Sequence, residues 1–293
     1  MKIGIIGSTG LIGSRIKELL SSTHQFDEYN SSIGADITDK NSLATLAASD
    51  AELVLLLAAK TDVDSCELDR EKGDAGDAWK INVVGAQNVA SLCAETQKKL
   101  VYVSTDFVFD GEKPEGQAYT EDDVPNPVNW YGHTKWQGEE AVKNSGVEYI
   151  IVRPAYPYRA AFEKKNDFMR AIKARMENNQ PVAAVSDHLF CPVFIDDFVH
   201  AIDVLISSDK TGIFHTVGSQ TLSPFDAAKM IALNFGLDQS QISSASRADY
   251  FAGKAKRPFN LSLKNDKINA LGVEMRGFEE GLQEVKRQIT NSQ

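Results

Sequence analysis

Between residues 2 and 13 the chain reads KIGIIGSTGLIG: a short apolar run that stops on glycine, then the opening of a helical pattern, LIGSRIKELL. Strand, tight turn and helix follow one another with no residue to spare. Gly7, Gly10 and Gly13 are spaced G-x-x-G-x-x-G. Glycine is required where a chain turns this sharply, and wherever a Cβ would hold the backbone away from a bound pyrophosphate. The helix that follows offers free N–H groups and the positive end of its dipole to the same anion. The stretch therefore predicts a dinucleotide site built from Gly7, Thr9, Gly10, Leu11, Ile12 and Gly13.

The rest of the N-terminal half repeats that alternation. AELVLLLAA (51–59) and KLVYVS (99–104) are continuous apolar runs, as expected of parallel strands covered on both faces. Between them residues 77–96 carry apolar positions at helical spacing. NWYGHTKWQGEEAVKNSG reads as a further helix with Gly146 as its C-cap, and VEYIIVRP (147–154) as the next strand. The fold class is α/β, a Rossmann-type doubly wound parallel sheet whose ligands bind beyond the carboxyl ends of the strands. After Arg153 the rhythm changes. Residues 1–152 are expected to form the nucleotide-binding domain, and 153–293 mainly a smaller C-terminal substrate-binding module, with the chain returning to the sheet at about 193–217.

Composition narrows the function. A formal charge of −10 argues against a nucleic-acid partner, which needs a basic face. Three cysteines without paired spacing suit a reducing cytoplasm and predict no metal site. No apolar run is long enough to span a bilayer, so no membrane partner is expected. An acid is expected about 20 residues after the glycine turn, on the ribose; Asp27 and Glu28 fall early for that role. No Arg follows the strand to grip a 2′-phosphate, and Asp36 with Ile37 is placed to bracket the adenine, although Asp36 and Asp39 also suit capping.

The strand KLVYVS ends on Ser104, Thr105 and Asp106, and Tyr131 and Lys135 stand four apart on the next helix. Delivery of hydride to a ketone needs a proton donor at the developing alkoxide. A free phenol, with a pKa of about 10, is a poor donor–acceptor at neutral pH unless a nearby cation lowers it. A Lys one turn along the same helix face is placed to do so, and the Thr105 hydroxyl to orient the substrate oxygen. Helical Tyr-x-x-x-Lys pairs are common, so the pair gains meaning only with its surroundings.

Those surroundings are GSTGLIG, AAKTDVDSCE, STDFVFDG, PNPVNWYGHTK and KRPFNLSLKNDKINALG. Together they resemble the extended short-chain dehydrogenase/reductases, and within them the dTDP-4-dehydrorhamnose reductase group, over nearly the whole chain. The resemblance implies an oxidoreductase that reduces a 4-keto sugar nucleotide with NADP or NAD, NADPH slightly preferred. It implies Thr105, Tyr131 and Lys135 as the catalytic residues, with Tyr131 the proton donor. Ala58, Ala59 and Lys60 join the cofactor residues together with Tyr131 and Lys135, and Asp106, Phe107, Tyr156 and Arg257 join Thr105 on the substrate side. It implies a cytoplasmic enzyme of carbohydrate biosynthesis, with a homodimer a possible assembly. Related dehydratases carry Asp-Glu after the Thr; here Phe107 follows Asp106. Two other readings remain: an epimerase with the same triad, or a non-catalytic regulatory subunit like the methionine adenosyltransferase β subunit, which shares a segment similar to FHTVG. Arg153, Arg159, Lys164, Lys165, Lys254 and Lys256 are further candidates to meet a diphosphate, whereas His133 reads as surface and Cys66 as an idle thiol.

Overall fold

The computed structural model describes residues 1–291. Five strands, β1 (Lys2–Ile6), β2 (Gln25–Tyr29), β3 (Leu53–Leu56), β4 (Lys99–Val103) and β5 (Tyr149–Arg153), pair in parallel, and β6 (Gly212–His215) extends the sheet beyond β5. The order is β2-β1-β3-β4-β5-β6. Ile3 faces Phe26 on one side and Leu53 on the other, so the strand order reverses at β1. In parallel sheets that reversal opens a crevice at the carboxyl ends of the flanking strands. Here those ends are the glycine turn after β1, residues 57–60 after β3 and Ser104 after β4. The fold class expected from the sequence is the one observed.

The chain divides into two compact units. The first takes Met1–Phe109, Val124–Arg153 and Ile202–Phe214; the second takes Asp110–Asp123, Pro154–Ala201 and the chain from His215 on. In the first unit β3 is buried along its whole length, and Ile6, Val54, Leu56, Val89, Leu100 and Ile151 share one core. Helix α1 (Leu11–Leu20) follows β1, α2 (Gly85–Glu95) precedes β4, and α3 (Trp130–Lys143) precedes β5. The segment read as one helix over 77–96 is interrupted: Lys80–Val84 form a π-helical turn. Such turns insert one residue into the helical ladder and redirect its side chains. Helix α3 is capped at its start by the Asn129 side chain, which accepts from Gly132 N, and ends at Asn144; Gly146 lies in the turn beyond. The expected Gly146 cap is displaced because Asn144 N bonds to Glu140 O and closes the last turn first.

In the second unit, Val182–Val185 pairs with Ile242–Ala245, and Leu189–Phe190 with Asn260–Leu261. Its core packs Tyr158, Phe190, Phe194 and Phe278 together. Asn260, from the KRPFN segment, donates through Nδ2 to the carbonyls of Lys113, Pro114 and Gln117. The late motif therefore pins the loop that follows VFDG.

Gly138 sets how closely α3 approaches its neighbours. A Cβ there would stand 2.3 Å from Tyr102 Oη and 2.4 Å from Asn82 O. Gly138→Ala is therefore expected to lower stability by about 1–3 kcal/mol, as overpacked cores do. Urea unfolding measures it, and an unchanged midpoint would show that the helix can back away freely.

Candidate active site

Two glycines of the first turn are needed by the protein itself. Gly7 has φ of +92°, and a Cβ on it would lie 2.8 Å from Ala58 N; a Cβ on Gly13 would lie 2.4 Å from Gly7 O. Gly10 differs. Its φ is −78°, and a Cβ would meet only Gly7 O at 3.4 Å, an ordinary contact. Nothing among the described residues demands glycine at position 10, so the open room suits an outside group. Gly10 is also the N-cap of α1 and supplies no side-chain cap. A helix N-terminus without a side-chain cap is the kind of site that suits an anion. A dinucleotide pyrophosphate fits this cradle, with Thr9 exposed and Leu11 and Ile12 half-buried at its rim.

The neighbouring acids are partly spoken for. Glu28 accepts from Ser8 Oγ at 2.6 Å and pairs with Lys17; these partners, Lys17 foremost, hold its carboxyl below the usual range. Asp27 pairs with Lys2 at 3.2 Å. Asp36 is exposed and accepts from Thr38 N and Oγ1, a local turn, and Asp39 caps the turn beginning at Lys40. Ile37 is buried in the core, and its carbonyl accepts from Asn88 Nδ2. Ala58, Ala59 and Lys60 follow β3, half-buried. The Lys60 ammonium is committed to Asp69 at 2.9 Å.

Asn82, a residue the sequence reading missed, sits on the π turn. Its Oδ1 accepts from Lys60 N at 2.8 Å, while its Nδ2 donates to Lys60 O and to Thr134 Oγ1, each at 3.0 Å. One side chain thereby ties the loop after β3 to α3. A π turn leaves no mark in apolar periodicity, and Asn82 stands among other polar residues of the same helical stretch.

Thr105, Asp106, Phe107, Tyr131 and Lys135 converge at the end of β4. Thr105 accepts from Phe107 N and donates to Asp106 Oδ1 at 2.9 Å. The Tyr131 ring meets Phe107 edge-on at 5.8 Å. Lys135, 1% exposed, donates from Nζ to Val103 O at 2.8 Å and lies 4.1 Å over the Tyr102 ring. Burial pushes the Tyr131 phenol above its ordinary value, with the nearby Thr105 hydroxyl opposing. It pulls the Lys135 ammonium down to about 7, with Glu139 opposing. This corrects the expectation that Lys135 lowers the phenol: burial acts on both groups, and the ammonium is turned to Val103 O. The phenol keeps its proton at neutral pH.

Behind Lys135, Glu139 is wholly buried and takes Arg153 in a two-pronged pair, Nε to Oε1 at 2.9 Å and NH2 to Oε2 at 2.6 Å. Arg153 also lies over the Phe109 ring. This overturns the reading of Arg153 as a phosphate ligand: its guanidinium is consumed in the core. His133 is likewise not plain surface. It is half-buried and stacked on Trp130 at 5.0 Å, and burial lowers its pKa. Cys66 is buried against Lys60 O, and burial pushes its thiol up to about 12, an unreactive state. Asp106 is fully buried and pushed up to about 7 by that burial, against the pull of Thr105 and nearby backbone N–H groups.

Tyr156 and Arg257 belong to the second unit. Tyr156 holds φ of +40°, a strained value for a side chain this large, and its ring packs on Phe190 at 4.6 Å. Arg257 is half-buried over the Phe251 ring and donates to Ala255 O. His188 stands beside Tyr156 and the backbone next to Arg257. Its Nδ1 bonds to Pro258 O at 2.7 Å, so Nε2 is left to accept from Tyr156 Oη at 3.4 Å. Burial holds the ring neutral by lowering its pKa to about 4. Arg159 is buried, with its guanidinium over Phe162, whereas Lys164, Lys165, Lys254 and Lys256 are exposed. Among the described residues, no group of three or more His, Cys, Asp or Glu is placed to hold a metal, and no helix is long and apolar enough to cross a membrane.

Residues 1–291 match the family described as RmlD substrate binding domain. A dTDP-4-dehydrorhamnose reductase of Mycolicibacterium smegmatis is 28% identical over 285 residues, 97% of this chain and 84% of that protein. The structure of a dTDP-4-dehydrorhamnose reductase from Bacillus anthracis in complex with NADP superposes with a TM-score of 0.89 at 28% identity, covering 98% of this chain and 99% of that one. A Thermus thermophilus UDP-glucose 4-epimerase complexed with NAD shares the fold, with a TM-score of 0.82 at 19% identity, covering all of both chains.

The raised carboxyl of Asp106 has a consequence for stability. Its native pKa, about 7, lies above the ordinary 3.8, so the native state holds a proton that the unfolded chain releases. Stability from this group is therefore full in acid, falls as pH rises through that interval, and levels off above it. Relative to Asp106→Asn, the wild type is expected to lose about 1.4 kcal/mol per pH unit between about pH 4 and 7. Urea titrations across that range measure the difference. Parallel curves would mean an ionised carboxylate throughout.

Proposed function

Because the chain belongs to the RmlD substrate binding domain family, we propose that it is an NADPH-dependent reductase of a 4-keto sugar nucleotide of the dTDP-4-dehydrorhamnose type. The observation that carries this reading is the buried, protonated Tyr131 phenol beside Thr105, with Lys135 one turn away. A reductase must hand a proton to the oxygen that becomes an alkoxide, and a neutral phenol in a dry site is suited to that step. NADPH, when bound, supplies the hydride.

The chain's own groups do the rest. Gly10 and the first turn of α1 hold the pyrophosphate. Thr105 turns its proton from Asp106 toward the substrate carbonyl and fixes the plane of attack. Tyr131 donates its proton to the same oxygen, and Lys135, anchored to Val103 O, fixes the helix face that carries the phenol. Glu28, occupied by Lys17 and Ser8, presents less charge to a 2′-phosphate than a free acid would, in keeping with NADPH. In the second unit Arg257 is assigned to the diphosphate, because an anionic substrate of a chain with net charge −10 needs a local cation, and Tyr156 to the sugar. A homodimer in the cytoplasm, with no nucleic-acid partner, completes the proposal. The dehydratase chemistry of related enzymes is disfavoured by Phe107, which stands where their second acid would be.

Tyr131→Phe keeps the ring and removes the proton. Its turnover with a dTDP-4-keto sugar is expected to fall by about 10²–10⁴-fold, with NADPH affinity and melting temperature nearly unchanged. Full activity would remove Tyr131 from the mechanism. A wild type that binds NADPH tightly yet reduces no keto sugar would favour the non-catalytic reading instead.

Arg257→Ala is expected to raise the KM for the sugar nucleotide much more than it alters NADPH affinity. Loss of a charge-assisted hydrogen bond costs about 1.5–3 kcal/mol, tenfold or more. Steady-state kinetics with each substrate varied would detect it, and an unaltered KM would leave Arg257 a structural role on Phe251.

A further inference from the structure

Two polar atoms on either side of Thr105 in the chain are fully buried and have no partner at hydrogen-bond geometry: Ser104 Oγ and Asp106 Oδ2. Leaving a buried acceptor unmet costs about 1–3 kcal/mol. Asp106 has a strong reason to use both oxygens; Oδ1 takes the Thr105 hydroxyl at 2.9 Å and the backbone N–H groups of Asp106 and Phe107 also bear on the carboxyl, but Oδ2 has no partner at hydrogen-bond geometry. Among the described residues, no cation is hydrogen-bonded to the other oxygen. Lys135, the cation of α3 nearest in sequence to Tyr131, gives its ammonium to Val103 O and the Tyr102 ring. The groups facing this corner are the Tyr131 phenol and, bearing on it, the Cys66 thiol, and burial keeps both protonated.

We propose that Asp106 works as a neutral carboxylic acid, whose Oδ2–H donates a hydrogen bond to an oxygen of the bound sugar. This deepens the reductase reading and rests on it. A buried carboxyl with no cation escapes the cost of an isolated charge by keeping its proton, and the direction of its shift agrees. The proton then sits on the oxygen that has nothing to bond within the protein. Neutrality has a second effect. A charged acceptor binds a hydroxyl about twice as strongly as a neutral one. A neutral Oδ1 therefore releases the Thr105 proton to the substrate carbonyl more easily than a carboxylate would. Asp106 in this role is at once a contact to the sugar and the residue that frees Thr105.

Infrared difference spectroscopy on the whole protein tests this without relying on turnover. At about pH 6 the wild type is expected to show the C=O stretch of a protonated carboxyl that Asp106→Asn lacks. Adding the reduced sugar nucleotide should shift that band, whereas dTDP alone should leave it in place. In kinetics, Asp106→Leu, which has no donor, should raise the sugar-nucleotide KM at least about tenfold more than Asp106→Asn, whose amide N–H can replace Oδ2–H. Absence of the acid band at pH 6 overturns the proposal. So does a band indifferent to a sugar nucleotide that calorimetry shows to be bound. If Asp106→Leu does not fold, the wild-type and Asn spectra still decide. If the wild type binds no sugar nucleotide at all, the reductase reading falls first, and the absence of calorimetric heat identifies that failure separately.

Discussion

The ammonium of Lys135 is buried, and a buried charge has to be met from inside the protein. Its partners come from elements far apart in sequence: the carbonyl of Val103 and the ring of Tyr102 on β4, and the carboxylate of Glu139 one turn further along α3. Glu139 is in turn held by Arg153 of β5, which lies over Phe109. Helix α3 is thus locked to two adjacent strands through a chain of buried charges. The arrangement explains why the proton donor can be rigid. Tyr131 is carried on the same helix face as the lysine, so whatever fixes Lys135 fixes the phenol too.

Burial that immobilises these groups also decides their protonation. The same dry surroundings keep the Tyr131 phenol protonated, draw the Lys135 ammonium toward neutrality and hold the Asp106 carboxyl near its midpoint around pH 7. A single physical cause therefore prepares a proton donor, a tunable cation and a second acid within one corner of the first unit. The cofactor cradle is joined to this corner by Asn82, which clamps the backbone of Lys60 with one hand and Thr134 with the other. Its reach depends on the π turn, a local loss of helical regularity offset by three hydrogen bonds.

Much of this was legible in the sequence. The glycine turn, the apolar strands and the helices between them are local signals, complete within a dozen residues, and they predict the parallel sheet that is observed. The motifs around Thr105, Tyr131 and Lys135 pointed to the family that the chain matches. What went wrong did so for one reason. Arg153 read as a phosphate ligand because the planar fork of arginine suits phosphate oxygens, His133 read as surface because of its helical offset, and Lys135 was expected to act outward on the phenol. The deciding partners were Glu139, Trp79 together with the neighbouring Trp130, and Val103, none of which apolar periodicity reveals.

By itself the sequence determined where the chain turns, which segments alternate and which residue types stand at the ends of the strands, because those depend on backbone sterics and periodicity over a few residues. Only the tertiary structure decided which of those residues are dry. The partner of Arg153, the grip of Asn82 on Lys60 and the proton on Asp106 all follow from burial, and burial is created by segments that meet across the fold rather than along the chain.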